Sequence, residues 1–119
     1  MTDLEFSKRL RELFERCPSC GENDIALLKL GRHFWQGFVK IIVGRDHQEN
    51  LRLKKLAKKG DILIELKQIP GPMTLVRSYS KSKVSEKIIE KAKAKTKYYS
   101  VKARNKKNVR FSIKEVVFG

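Results

Sequence analysis

Cys17 and Cys20, in the turn Cys17-Pro18-Ser19-Cys20-Gly21, are the residues whose spacing most resembles a chemical site. Two thiolates separated by two residues in a Gly-closed turn can hold one edge of a tetrahedral zinc, but a closed site needs two more ligands. His33 and His47 are the other candidates of the usual kind, and they form no second pair. The same spacing permits a redox disulfide, although no thioredoxin-like strand precedes it. A structural turn with two free thiols is the third reading. Asp46, Glu49, Asp61 and Glu65 could hold magnesium as nuclease carboxylates do, yet Asp46 and Glu49 are spaced as a helix cap. No Ser-His-Asp or Cys-His spacing occurs, and the glycines, at 21, 31, 37, 44, 60, 71 and 119, build no phosphate-binding loop. The chain is expected not to be an enzyme on its own.

The basic residues offer a different chemistry. Lys and Arg number 28 against 13 Asp and Glu, a formal charge of +15 over 119 residues. The segment 80–119 carries 13 basic and 3 acidic residues, +10 of that total. Adaptation to heat would balance lysine with glutamate in ion-pair networks, and here the balance fails. Such an excess points to a polyanion. No apolar run approaches the roughly 18 residues needed to cross a bilayer, and the charged N-terminus lacks a signal-peptide core. A soluble, cytoplasmic protein without a membrane partner is expected.

The elements that must position these charges follow from periodicity. Thr2-Asp3-Leu4-Glu5 has the form of a capping box, and Phe6, Leu10, Leu13 and Phe14 follow at helical spacing until Pro18 forbids continuation. A helical turn is expected over 25–30. A hairpin over 32–43 turns at Gln36-Gly37, and His33 there is a surface or half-buried residue, or a phosphate contact. Gly44-Arg45-Asp46 closes the apolar run 38–43, and Asp46 with Glu49 caps a helix to about Lys59, ended by Gly60. Ile62 to Leu66 reads as a strand, Pro70-Gly71-Pro72 as a stiff loop, and Met73 to Arg77 as another strand. A third helix runs from about Ser82, capped by Ser82 or Ser85, to Tyr98. Tyr99 fits the core, while Tyr98 either joins it or stacks on bases. Val109, Phe111 and Ile113 alternate as a last strand, and Val116-Val117-Phe118 adds a turn or an edge.

Basic side chains decorate this frame in three places. Arg52, Lys54, Lys55, Lys58 and Lys59 lie opposite Leu53, Leu56 and Ala57 on the central helix. Lys87, Lys91 and Lys95 form a row at i, i+4, i+8 on the last helix, and Lys102, Arg104, Lys106 and Lys107 crowd the loop after it. A solvated surface is the ordinary fate of such faces; phosphate contacts are the alternative if they look the same way.

Gly44-Arg45-Asp46 with Asn50 and Leu53, then Gly60-Asp61, Ile69-Pro70-Gly71, Ala92 and Tyr99-Ser100, resemble in order the NFACT RNA-binding domain. That domain occurs in the NFACT proteins of ribosome-associated quality control and fused to thiouridylase-type tRNA-modification enzymes. The lead-ins 5–10 and 27–34 look like those of the thiouridylase-fused version. The ribosome-associated branch usually has a His near the end of the second strand and a Ser-His after the Pro-Gly. Here Glu65 and Pro72-Met73 stand in those places, so no role of those histidines carries over.

The resemblance implies an α+β single domain: a small mixed β-sheet of about five strands packed with two to three helices, with a lead-in over 1–30 and a core over 31–119. It implies an RNA-binding module for tRNA or rRNA, in tRNA modification or ribosome-associated quality control. The alternatives are a stand-alone accessory subunit of a thiouridylase-type enzyme, where a persulfide-carrying cysteine is conceivable, and a basic protein-interaction module. The residues expected at RNA are Arg45, Asn50, Arg52, Lys55, Lys59, Lys87, Lys91, Lys95, Lys102, Arg104, Lys106 and Lys107. Arg45 offers a forked phosphate contact, and Asn50 either joins it or braces the loop. No cofactor is expected, zinc at Cys17 and Cys20 being one of the three readings of that turn.

Overall fold

A computed structural model describes residues 3–117; Thr2 of the first capping box and Phe118 lie outside them. Four helices, α1 (Asp3–Arg16), α2 (Glu22–Leu27), α3 (His47–Leu56) and α4 (Glu86–Tyr98), accompany five strands. The strands are β1 (Arg32–Gln36), β2 (Val39–Val43), β3 (Ile62–Leu66), β4 (Thr74–Ser78) and β5 (Phe111–Glu115), in the spatial order β1-β2-β4-β3-β5.

Every pairing is antiparallel, which corrects the expected mixed sheet, and four helices replace the two or three expected. The physical reason lies in the path of the chain. β2 and β3, joined by α3, run in the same direction, but β4 inserts between them and pairs antiparallel with both. β1 joins β2 through the Gly37 turn, and β5 adds to the free edge of β3.

Strand alternation divides the core in two. Val39, Ile41, Val43, Ile62, Ile64 and Val76 face α4 through Ala92, Ile88 and Ile89. Ile42, Leu63 and Leu75 face the other way, onto Leu27 and Leu30 beside α2 and Leu53 of α3. α1 buries Leu13 and ties back to the rest of the chain: Arg9 donates to the Leu28 carbonyl (2.7 Å), and Arg16 donates to the Gly37 carbonyl (2.9 Å) while lying over the Trp35 ring.

The helix ends explain two shifted boundaries. Asp46 caps α3 by accepting from Glu49 N–H at 2.9 Å. The helix stops at Leu56 because Ala57 turns extended, which brings Asp61 under the chain to accept from Lys58 N–H. Gly60 follows in the left-handed region at φ +95°. α4 starts at Glu86, not Ser82: Ser85 is the cap, accepting from Ile88 N–H, while Ser80 Oγ accepts from Ser82 N–H in the preceding turn. Past β5, Val116 still exchanges backbone hydrogen bonds with Gly60 and Asp61, so the edge continues beyond the regular strand. Among the described residues no helix is long and apolar enough to cross a membrane.

Candidate nucleic-acid interface

At one end of the sheet, three segments far apart in sequence border a single cleft: Gly44 to Asn50 at the start of α3, Pro70-Gly71-Pro72 before β4, and Tyr99 to Lys102 after α4. These are the same residues that carry the ordered motifs of the sequence, and hydrogen bonds explain why each is needed. Asn50 Oδ1 accepts from Met73 N–H at 3.0 Å, fastening α3 to the end of the Pro-Gly-Pro loop. Gly44 leaves room for that amide, since a Cβ there would collide with Asn50 Oδ1. Ser100 is buried, and its hydroxyl donates to the Pro70 carbonyl at 2.7 Å, fastening the same loop to the turn after α4. Asn50 therefore acts as a brace.

Arg45 sits at the cleft with its fork already engaged. Nε donates to Glu49 Oε1 at 2.9 Å and Nη2 to Glu49 Oε2 at 2.7 Å, while the Arg45 N–H also donates to Oε1. These bonds outweigh the effect of burial and hold the Glu49 carboxyl down at about 2. The guanidinium stays partly exposed, with its orientation fixed by Glu49.

The basic residues named from the sequence separate into distinct places. Lys102 lines the cleft, and Arg104, Lys106 and Lys107 continue from it as an exposed turn pinned by the buried Ala103. Arg52 and Lys55 are exposed on α3, whereas Lys59 lies at the opposite end of the sheet. Lys87, Lys91 and Lys95 lie on α4, across the sheet from α3. Lys91 donates to Gln36 Oε1 at 2.8 Å, and Lys95 Nζ stands 3.8 Å above the Phe34 ring. The three basic elements thus share no single face; only the turn after α4 meets the start of α3.

Tyr99 packs with Phe34 at the core edge beneath the Arg32 guanidinium, and Tyr98 is exposed. His47, weighed from the sequence only as a zinc ligand, and Val101 also line the cleft. His47 was detectable as the first residue after the Asp46 cap. His33 is not a phosphate contact: its Nε2 donates to the Leu30 carbonyl at 2.6 Å, and burial helped by Lys40 and Arg9 pushes its pKa down to about 3.

Cys17 and Cys20 are free thiols, half-buried in the turn between α1 and α2, and burial pushes the Cys20 thiol up, opposite to activation. Among the described residues no group of three or more His, Cys, Asp or Glu is arranged to hold a metal ion. Asp61, weighed as a metal ligand, is taken up by Arg77, whose Nη2 lies 2.6 Å from its Oδ2.

No curated protein matches the sequence. Among solved structures, the fold is similar to the C-terminal part of the fibronectin/fibrinogen-binding protein from Streptococcus suis, with a TM-score of 0.57 and 23% identity. The alignment covers 97% of this chain and 47% of that one, so the chain spans about half the length of that structure. The family model described as the NFACT protein RNA binding domain matches residues 31–117, from the start of the β1–β2 hairpin to the strand edge beyond β5 and through all three cleft segments. The chain belongs to the NFACT RNA-binding domain family.

Proposed function

We propose that this chain binds structured RNA, tRNA or rRNA, by gripping phosphate backbone at the cleft and along the basic turn 102–107. The observation that carries this reading is the convergence of the Gly44–Asn50, Pro70–Pro72 and Tyr99–Lys102 segments, stitched by Asn50 and Ser100, beside four exposed basic residues. Phosphate contacts of this kind position an RNA without reading its sequence. Selectivity then comes from backbone shape. The test is binding to total tRNA and to random RNA of equal length across a salt series. Tighter tRNA binding that persists at moderate salt is the expected result; equal binding that collapses with salt reduces the surface to a non-specific polyanion contact, and no binding even at low salt overturns the reading.

A second reading, an accessory subunit presenting tRNA to a thiouridylase-type enzyme, draws on α1. Leu4 and Phe14 are 84% and 43% exposed there, an apolar display on the lead-in outside the matched family region. Co-purification with such an enzyme that is lost in a Leu4→Ser, Phe14→Ser variant would support it; unchanged association would count against it.

A further inference from the structure

Positive charge also gathers at the end of the sheet opposite the cleft. There α3 gives way to Lys58 and Lys59, and the connection from β4 to α4 carries Lys81 and Lys83. These lysines border one hollow together with the Ser80 and Ser82 side of that connection. The connection is shaped by its own hydroxyls: Ser78 Oγ donates to the Ser82 carbonyl at 3.0 Å, and Ser80 Oγ accepts from Ser82 N–H at 3.2 Å. Lys81 and Lys83 are left exposed by this arrangement. Among the described residues, no carboxylate lies within ion-pair distance of Lys59, Lys81 or Lys83, while Lys58 stands 3.8 Å from Asp24. Of the bordering acids, Asp61 is neutralised by Arg77, which leaves Glu86 and Glu115 against four lysines.

α4 separates the two basic ends. Its 13 residues span about 20 Å at 1.5 Å per residue, with Lys83 three residues before its start and Lys102 four residues after its end. No single phosphate spans that distance. We propose that the Lys58–Lys59 and Lys81–Lys83 hollow is a second phosphate-contact surface, so that the preferred ligand is a folded RNA presenting two backbone segments about 20 Å apart. A strand of two or three nucleotides, about 7 to 10 Å long when stacked, then occupies one end at a time. This inference rests on the RNA reading of the cleft.

The experiment is a salt titration of tRNA binding by fluorescence anisotropy, with three double variants: Lys81→Ala/Lys83→Ala, Lys102→Ala/Lys106→Ala, and a charge-matched control on α1, Lys8→Ala/Arg11→Ala. All six side chains are exposed, so folding is preserved and is checked by circular dichroism. The first two variants should each lower the slope of log affinity against log salt by about 1 to 2, and their effects should add, with the control unchanged. On a trinucleotide, which at about 3.4 Å per stacked nucleotide reaches only about 10 Å, the two effects should not add. If Lys81→Ala/Lys83→Ala matches the control on tRNA while Lys102→Ala/Lys106→Ala lowers the slope, the second surface is overturned and the cleft stands. If the unmodified protein fails to bind tRNA at low salt, both readings fall.

Discussion

Arg77 Nη1 donates to Asp24 Oδ1 at 2.9 Å, tying the central strand β4 to the lead-in helix α2 across 53 residues. The same guanidinium reaches Asp61 at 2.6 Å, Asn23 Oδ1 at 2.7 Å and the Leu56 carbonyl at 3.2 Å, and the Tyr79 hydroxyl donates to Asp24. A buried cation is tolerable only when its donors are filled. The family match begins at residue 31, yet the core it describes contains an arginine whose partners lie in part outside it.

It follows that the lead-in is part of the folding unit. Asp24→Ala or Asp61→Ala should cost about 3 to 5 kcal/mol, because each leaves the buried Arg77 short of a partner. A chain starting at residue 31 loses Asn23 and Asp24 and also uncovers Ile42, Leu63 and Leu75, which Leu27 and Leu30 cover. Urea unfolding followed by circular dichroism should show an early transition for the point variants and no cooperative transition for the truncation. An unshifted midpoint for Asp24→Ala would show that Asp61 alone satisfies Arg77.

The brace at the cleft makes a separable prediction. Asn50→Ala leaves the Met73 N–H without its acceptor, at a cost of about 1 to 3 kcal/mol, and frees the Pro-Gly-Pro loop from α3. Asn50→Asp keeps an oxygen acceptor at that position. RNA affinity should fall in the alanine variant and recover in good part in the aspartate variant, despite the added negative charge. If affinity instead tracks charge, with aspartate the worse of the two, Asn50 touches RNA directly.

How much of this was legible in the sequence depended on the kind of residue. Strands bounded by turn residues, such as Ile62–Leu66 between Gly60-Asp61 and the Pro-Gly-Pro loop, emerged where alternation and punctuation placed them. The cleft was legible as an ordered set of motifs, although nothing in their spacing said that they meet. Lys40 and Arg77 were not legible as interior residues. Each is 2% exposed, although charged side chains are almost never fully buried unless paired. Arg77 shares a sheet face with Leu75, but no spacing in the sequence pairs it with Asp24 or Asp61, the partners that make its burial tolerable. Lys83 escaped because a helix starting at about Ser82 puts it in the first turn, and Lys81 falls just before that start. The sheet's direction was hidden for a topological reason, since no local pattern reveals that β4 inserts between β2 and β3.

Acid stability should reflect His33 first and Glu49 second. Burial holds the folded His33 near 3, against an ordinary value near 6.5. Between those values the unfolded chain binds the proton that the native one refuses, so stability falls as the pH drops below about 6.5. Glu49, held at about 2 by Arg45, contributes stability that is present above its ordinary value and lost as the pH falls from about 4.5 towards 2. Thermal midpoints measured from pH 7 to pH 3 should therefore decline in two stages. His33→Gln should flatten the first stage between about pH 6.5 and 5 and leave the steeper loss below it. A variant with an unchanged profile would mean that His33 is protonated in the folded state.

The two basic elements around α4 should answer differently to the same substitution. Lys95 Nζ lies over the Phe34 ring, so Lys95→Ala removes a cation–π contact worth about 0.5 to 1 kcal/mol. Lys91 is likewise occupied by Gln36. Lys102 and Lys106 have no carboxylate within ion-pair distance among the described residues, and their ammonium groups remain available to phosphate. Lys95→Ala should lower the thermal midpoint slightly while leaving the salt slope of RNA binding within about 0.3 of the unmodified value. Lys102→Ala should leave stability unchanged and lower that slope by about 0.7 to 0.9, the signature of one phosphate released. The reverse pattern would move the RNA path off the cleft and onto the α4 row, where the backbone would run along the face of the helix instead of across its end.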